Sequence, residues 1–316
     1  MGSFRFKQFE VEQNHSAMKV NTDAVLLGAW MSVPGGEDAG DAAVDRATDG
    51  SAADADAAPG GESARRTLRA LDIGTGTGVI ALMAGQRLAE NGVAAHIDTV
   101  EIDADACQDA AANFDAAPWA GISFGLHNVP LQEFSGSGAT DGAAGAAGYD
   151  LIFSNPPYFI SSLKNDSQAK TTARHTDTLS QRELLFYSTP LLKEGGTLAI
   201  ILPVIEGEEL LRKVEFMANT AVSKYYGTGV SAGDGAGAAS VGKTIPQNGD
   251  TYSALFPSRI CYVHTVERKP AKRLMLEFVK CHPSARPVLQ RQQLVMMSDG
   301  ANTPEYQALV GGFYLR

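Results

Sequence analysis

Hydrophobic and polar positions alternate between two rhythms along the chain. TLRALDI (67–73), AHIDTVEI (95–102), YDLIFS (149–154) and GTLAIILP (196–203) are short apolar runs of strand length, and they read as buried strands. VIALMAGQRLAE (79–90), ADACQDAAANF (104–114), SQRELLFYSTPLLKE (180–194) and EGEELLRKVEFMA (206–218) carry apolar residues at helical spacing, which predicts helices between or after those strands. Strand and helix in alternation imply right-handed crossovers and a mainly parallel sheet with helices on both faces. SRICYVHTV (258–266) and RLMLEFVK (273–280) are also strand-like, and only six residues separate them. A parallel crossover needs a dozen or more residues, so these two are expected to be antiparallel neighbours. The predicted architecture is an α/β fold whose parallel sheet ends in an antiparallel strand.

Three stretches break the rhythm, at about 35–64, 135–148 and 227–250, where Gly, Ala, Ser and Asp dominate. Segments so poor in large apolar groups cannot bury enough surface to offset the entropy of ordering them, and they are expected to be loop insertions within a single domain spanning 1–316. They also change the meaning of the charge. Of the formal net charge of -10, residues 35–64 contribute -7, with eight Asp or Glu against Arg46 alone, leaving -3 for the remainder. The last 58 residues, Arg259 to Arg316, hold nine Lys or Arg against four Asp or Glu. An overall acidic chain of this kind can still present a basic face to a nucleic acid.

No window approaches the roughly 20 apolar residues of a spanning helix, and the first residues, MGSFRFKQFEVEQ, lack a signal-peptide core. Cys107, Cys261 and Cys281 are widely spaced and odd in number, with no CxxC pair. A cytoplasmic protein without a structural metal or a membrane anchor is expected, and a monomer.

Candidate chemistry begins at LDIGTGTG (71–78), directly after a predicted strand and opening a helix. Gly74, Gly76 and Gly78 permit tight turns and keep side chains from between the backbone and a ligand. Asp72 can accept hydrogen bonds from the ligand or from the loop itself. A glycine loop here could serve a dinucleotide, but a nicotinamide enzyme needs GxGxxG and a hydride-site acid that the chain does not offer. Glu101, at the end of the next strand, is placed to accept both ribose hydroxyls of a nucleoside, with Ile102 against its base and Asp103 as the cap of the following helix.

After the run YDLIFS comes Asn155-Pro156-Pro157-Tyr158. The exocyclic amine of a purine delocalises its lone pair and is a poor nucleophile. If the Asn155 side-chain oxygen and the Pro156 carbonyl both accept its N–H bonds, the nitrogen moves toward tetrahedral geometry and its lone pair becomes available, with no strong base required. Two prolines stiffen the turn that presents these acceptors, and Tyr158 offers a flat face for a base to stack on.

DIGTGTG, VEID and NPPY in this order resemble the amino-group methyltransferases, which act on DNA or RNA bases or on protein glutamine. The flanks FRFKQFEVEQNHSAMKVNTDAVLLGAW (4–30), RHTDTLSQRELL (174–185), KRLMLEF (272–278) and EYQALVGGFYL (305–315) are similar to the bacterial valine-tRNA adenine-N6 methyltransferase family. That resemblance implies a Rossmann-like domain with a mainly parallel seven-stranded sheet and an antiparallel last strand, S-adenosylmethionine as cofactor, and a tRNA substrate methylated on adenine N6 beside the anticodon. It implies Asn155, Pro156 and Tyr158 as catalytic residues. Cofactor contacts would come from Thr22, Asp72, Gly74, Gly76, Gly78, Glu101, Ile102, Leu131 and Asn155, although Thr22 can equally serve as a helix cap. Substrate contacts would come from Pro157, Tyr158, Arg174, His175, Lys272 and Arg273, with Arg5 and Lys7 as further basic candidates. In many relatives an acidic residue after the third strand meets the cofactor adenine, but here the stretch reads His127-Asn128-Val129-Pro130-Leu131. Asn128 or backbone groups near Leu131 must then take that role.

A DNA enzyme would be expected to carry a larger recognition region than this C-terminal part, and a glutamine enzyme a helical N-terminal domain. A nonenzymatic RNA-binding adaptor would have no use for paired amine acceptors.

Overall fold

A computed structural model describes residues 2–35, 67–136, 148–157, 179–226 and 253–315. The three low-complexity stretches lie almost wholly outside these residues, and Tyr158, Arg174 and His175 lie outside them too. The described chain falls into two compact units, one formed by residues up to Phe134 together with Gln307 onward, the other by Ser135–Tyr306.

The first unit opens with an antiparallel hairpin, β1 (Ser3–Arg5) and β2 (Glu10–Glu12), followed by helix α1 (Thr22–Trp30). Then come β3 (Leu68–Ile73), α2 (Val79–Glu90), β4 (Ala95–Val100), α3 (Ala104–Asp115) and β5 (Ile122–His127), with α4 (Leu131–Gly136) starting at the end of the unit. β4 lies between β3 and β5 and is parallel to both. Along β3 and β4 almost every position is buried, as parallel strands covered on both faces require. α1 packs against α2 so closely that a Cβ on Gly28 would stand 2.8 Å from the Met83 sulfur. The N-cap of α1 is Asn21, whose Oδ1 accepts the Ala24 N–H at 3.0 Å. Thr22 is therefore the first helical residue, exposed, and not the cap.

The second unit contains β6 (Tyr149–Ser154), α5 (Gln181–Leu191), β7 (Leu192–Pro203), α6 (Val204–Tyr226), β8 (Ala254–Val266), β9 (Arg273–Cys281), β10 (Gln290–Ser298) and β11 (Ala301–Asn302); α7 (Pro304–Val310) leads back toward the first unit. Its strands run in the order β6-β7-β9-β8-β10-β11. β6 and β7 are parallel, and β9 is antiparallel to both β7 and β8, so the pair at 258–266 and 273–280 has the orientation its short link demands. β9 is antiparallel but not last, because β8 and β10 continue past it, β10 parallel to β8. β10 escapes a hydrophobicity reading because its first four residues, Gln290 to Gln293, are polar and exposed. α5 is closed by a capping box between Ser180 and Glu183 at one end. At the other end the Lys280 ammonium donates to the carbonyls of Thr189 and Leu192, at 3.0 and 2.7 Å, the second of them the helix cap.

Candidate active site

The glycine loop leaves β3 and enters α2, and its three glycines all have left-handed backbones, with φ of 73° at Gly74, 55° at Gly76 and 80° at Gly78. A Cβ at Gly74 or Gly76 would meet nothing within 4 Å, so the loop faces open space there. Gly78 differs, since a Cβ would stand 2.6 Å from the Phe114 ring on α3. Two of the glycines thus keep a surface clear, and the third lets a neighbouring helix approach.

Asp72 is completely buried at the end of β3. Its Oδ2 accepts the Thr75 hydroxyl at 2.7 Å, while Oδ1 has no hydrogen-bond partner among the described residues. Burial raises its pKa to about 7, the Thr75 bond opposing and the nearby Glu101 charge reinforcing the shift. Of the two roles open to this carboxylate, the one visible in the fold is support of its own loop. A cation brought against the loop would favour the ionised form.

Glu101, half-buried just past β4, also grips the loop: Oε2 accepts the Gly76 N–H and Oε1 the Asp103 N–H, both at 2.9 Å. Asp103 caps α3 by accepting the Asp105 N–H at 2.9 Å. Ile102 between them is 56% exposed, and its position beside Glu101 makes it a shelf on which a flat ring could rest. Past β5, Asn128 donates to the Glu101 carbonyl at 2.9 Å, which leaves its side-chain oxygen as an acceptor. The Pro130 carbonyl receives the N–H groups of Glu133 and Phe134 and so starts α4, and the Leu131 side chain is buried. Gly74, Gly76, Glu101, Ile102 and Asn128 therefore surround one end of the parallel strands in the first unit.

In the second unit Ser154 ends β6, and Asn155, Pro156 and Pro157 follow without regular structure. Asn155 is half-buried, Pro156 buried and Pro157 exposed. Lys272 is exposed on the turn between β8 and β9, its N–H donating to the Val263 carbonyl, and Arg273 begins β9. β9 starts opposite Pro203, the last residue of β7, which places this basic turn at the strand-end edge that carries Asn155. Arg5 and Lys7 belong to the first unit: Arg5 lies 3.8 Å from Glu10, and the Lys7 ammonium donates to the Gly311 carbonyl.

Several polar residues here had no signature in the sequence. Asp98 on β4, 5% exposed, receives Arg69 from β3, His127 from β5 at 3.0 Å and His96 at 3.2 Å, one buried carboxylate joining three strands. Asp109 and Asn113 on α3 are equally hidden, each 2% exposed. Alternation of one Asp or Asn with alanines along ADACQDAAANF looks like a solvated helix face until the partners are known. Cys107, Cys261 and Cys281 are all free and buried.

The methyltransferase small domain family matches residues 62–224. A tRNA1(Val) (adenine(37)-N6)-methyltransferase of Trichodesmium erythraeum is 31% identical over 313 residues, 99% of this chain and 98% of that one. One of the same name from Tolumonas auensis is 32% identical over 316 residues, 99% of this chain and 97% of that one. Similarity at this level along both chains, with the glycine loop and NPPY motif intact, means that the chain belongs to the tRNA1(Val) (adenine(37)-N6)-methyltransferase family.

Proposed function

We propose that this protein transfers a methyl group from S-adenosylmethionine to the exocyclic N6 amine of an adenine in a valine tRNA, at the position beside the anticodon. The observation that carries this reading is the near full-length similarity to relatives named for that reaction. The site chemistry supports it. Open space above Gly74 and Gly76, the exposed Ile102 and the unpartnered oxygen of Asp72 fit a nucleoside bearing a cationic amine. When bound, S-adenosylmethionine supplies an electrophilic methyl group.

Asp72, Gly74, Gly76 and Gly78 would shape the loop that holds it, Glu101 would accept the ribose hydroxyls, and Ile102 would cover the adenine. The Glu101 carboxylate is already aligned by the Gly76 and Asp103 amides, so little side-chain order remains to be lost on binding. Asn128, through its remaining acceptor oxygen, takes the adenine role that an acidic residue fills in many relatives, with Leu131 packing beneath. Thr22, exposed at the first turn of α1, would add its hydroxyl to the cofactor contacts.

Asn155 and the Pro156 carbonyl would accept the two N–H bonds of the target amine. As the nitrogen takes the methyl group it would become positively charged, the C–S bond breaking with its electron pair left on the sulfur of S-adenosylhomocysteine; these oriented acceptors would stabilise that charge until a proton leaves to solvent. Tyr158 and Pro157 would stack the base, and Arg174, His175, Lys272 and Arg273 would contact the tRNA. The reading treats both units as one methyltransferase domain, in keeping with a family match that crosses their boundary. No helix among the described residues is long and apolar enough to cross a membrane, and we place the reaction in the cytoplasm, carried out by a monomer without a metal.

Methylation of an unmodified valine tRNA transcript, followed by nucleoside mass spectrometry, tests the reading. N6-methyladenosine is expected with the unaltered chain and is lost with Asn155→Ala. Binding of S-adenosylhomocysteine without N6-methyladenosine on any tRNA would refute the substrate, and full activity of Asn155→Ala would refute the mechanism.

A further inference from the structure

Asp109 and Asn113 stand one turn apart on α3, and their side chains do more than satisfy one another's surroundings. Asp109 accepts from three successive backbone amides, Asn14 at 3.1 Å, His15 at 3.0 Å and Ser16 at 2.7 Å, and from the Ser16 hydroxyl at 2.6 Å. Asn113 accepts the Glu12 N–H at 2.7 Å and donates its two amide hydrogens to different carbonyls, Glu12 and Thr77, both at 2.9 Å. Thr77 belongs to the glycine loop, and its neighbour Gly78 rests on Phe114, the residue after Asn113. The segment held by Asp109 is itself closed: the Gln13 side chain accepts the Val20 N–H at 2.8 Å, and the Lys19 ammonium binds the Gln13 carbonyl. One side of α3 therefore supports two separate stretches of chain, the strap of residues 12–20 and the second half of the glycine loop.

We infer that Asp109 and Asn113 are positioning residues for cofactor binding, which join the strap and the glycine loop so that a ligand seated on the loop is felt in the strap. Neither side chain is exposed enough to touch a ligand, so both act through backbone. The inference rests on the proposed cofactor site.

Asn113→Asp keeps the acceptor for Glu12 but sets a carboxylate oxygen against the carbonyls of Glu12 and Thr77. Asp109→Asn keeps the shape but removes the charge and replaces one of two accepting oxygens by an NH2 group that faces backbone amide donors. Calorimetry with S-adenosylhomocysteine is expected to show Kd raised about tenfold or more by Asn113→Asp and about threefold or more by Asp109→Asn. In steady-state assays the KM for S-adenosylmethionine should rise in step while the KM for tRNA stays within about twofold. Because the two residues support one unit, the double variant should bind no more weakly than Asn113→Asp alone, within about twofold. Unchanged Kd in either variant, or a double variant whose loss is the product of the two, overturns the inference. Hydrogen exchange on the unaltered chain is independent of whether the variants fold well. S-adenosylhomocysteine is expected to slow exchange at residues 14–16 as well as in the glycine loop, and protection confined to the loop would overturn the coupling. If the unaltered chain does not bind S-adenosylhomocysteine at all, the cofactor site itself is refuted, a result separate from variants that bind as well as the parent.

Discussion

Replacement of Asp72 by Asn gives the sharpest quantitative test of the loop. Its pKa is about 7 in the folded chain against 3.8 for the free side chain, because burial disfavours the charged form. The folded state therefore binds more protons than the unfolded state between about pH 4 and 7. Stability falls as pH rises across that window and is flat above it. A difference of about three pH units at roughly 1.4 kcal/mol each places the cost of ionising Asp72 in the folded chain on the order of 4 kcal/mol. An asparagine keeps the shape and an oxygen for the Thr75 hydroxyl, but it cannot ionise. Urea unfolding without ligand, repeated from pH 4 to 8.5, should show the parent losing stability relative to Asp72→Asn by about 4 kcal/mol over this range, most of it before pH 7.5. The difference between the two proteins removes every other titrating group common to both. Parallel stability profiles would refute the assignment of a neutralised carboxyl at this position. A cationic ligand should lower the pKa, so S-adenosylmethionine, whose sulfonium gives it a net positive charge, is expected to flatten the parent's profile.

Gly78→Ala should cost about 2 to 4 kcal/mol in urea unfolding, since it combines a left-handed residue with a Cβ 2.6 Å from the Phe114 ring, and Phe114→Leu should recover part of that loss. Ile102→Ala, at a largely exposed position, should leave stability within about 0.5 kcal/mol but weaken S-adenosylhomocysteine about tenfold in calorimetry. For Asp109, burial works against the charge, but the Ser16 hydroxyl and the amides of Ser16, His15 and Asn14 outweigh it and hold the pKa below the ordinary value. The stability advantage of the parent over Asp109→Asn should therefore be full above about pH 5 and shrink as pH falls through the depressed pKa, the opposite sign to Asp72. Lys272→Glu should raise the KM for tRNA and reduce the slope of binding against salt by about one, with no effect on cofactor affinity.

What the sequence disclosed followed the kind of signal each element carries. β3, β4 and β6 are strand-length runs in which apolar residues equal or outnumber polar ones, and helices 79–90 and 104–115 have clear ends, so all five stand close to where their patterns put them. The glycine loop and Asn155-Pro156 were legible because their chemistry demands particular residue types in fixed order. β10 was not, since an edge strand with polar exposed residues has no period to detect. The helix over 180–194 ends at Leu191, earlier than its apolar pattern, because Pro190 interrupts it and β7 begins at once. Asn21 took the capping position expected of Thr22, and asparagine is the stronger capping residue of the two. Asp98, Asp109 and Asn113 were invisible for a deeper reason. Each is a polar side chain whose partners lie on other strands or dozens of residues away, so its burial is a property of the assembled fold.

The hairpin that opens the first unit is completed by residues more than 300 positions later. The Lys7 N–H donates to the Phe313 carbonyl at 2.8 Å, the Phe6 and Tyr314 rings stack 6.1 Å apart, and Gln86 on α2 donates to the Gly312 carbonyl at 3.2 Å. During synthesis the hairpin therefore keeps part of its aromatic surface uncovered until residues 312–314 have been made. A chain that lacks residues 312–314 would keep its glycine loop and NPPY motif but leave its first unit unfinished. Loss of the Tyr314 ring would uncover Phe6, so such a chain should be cleaved near its hairpin faster than one that contains residues 312–314.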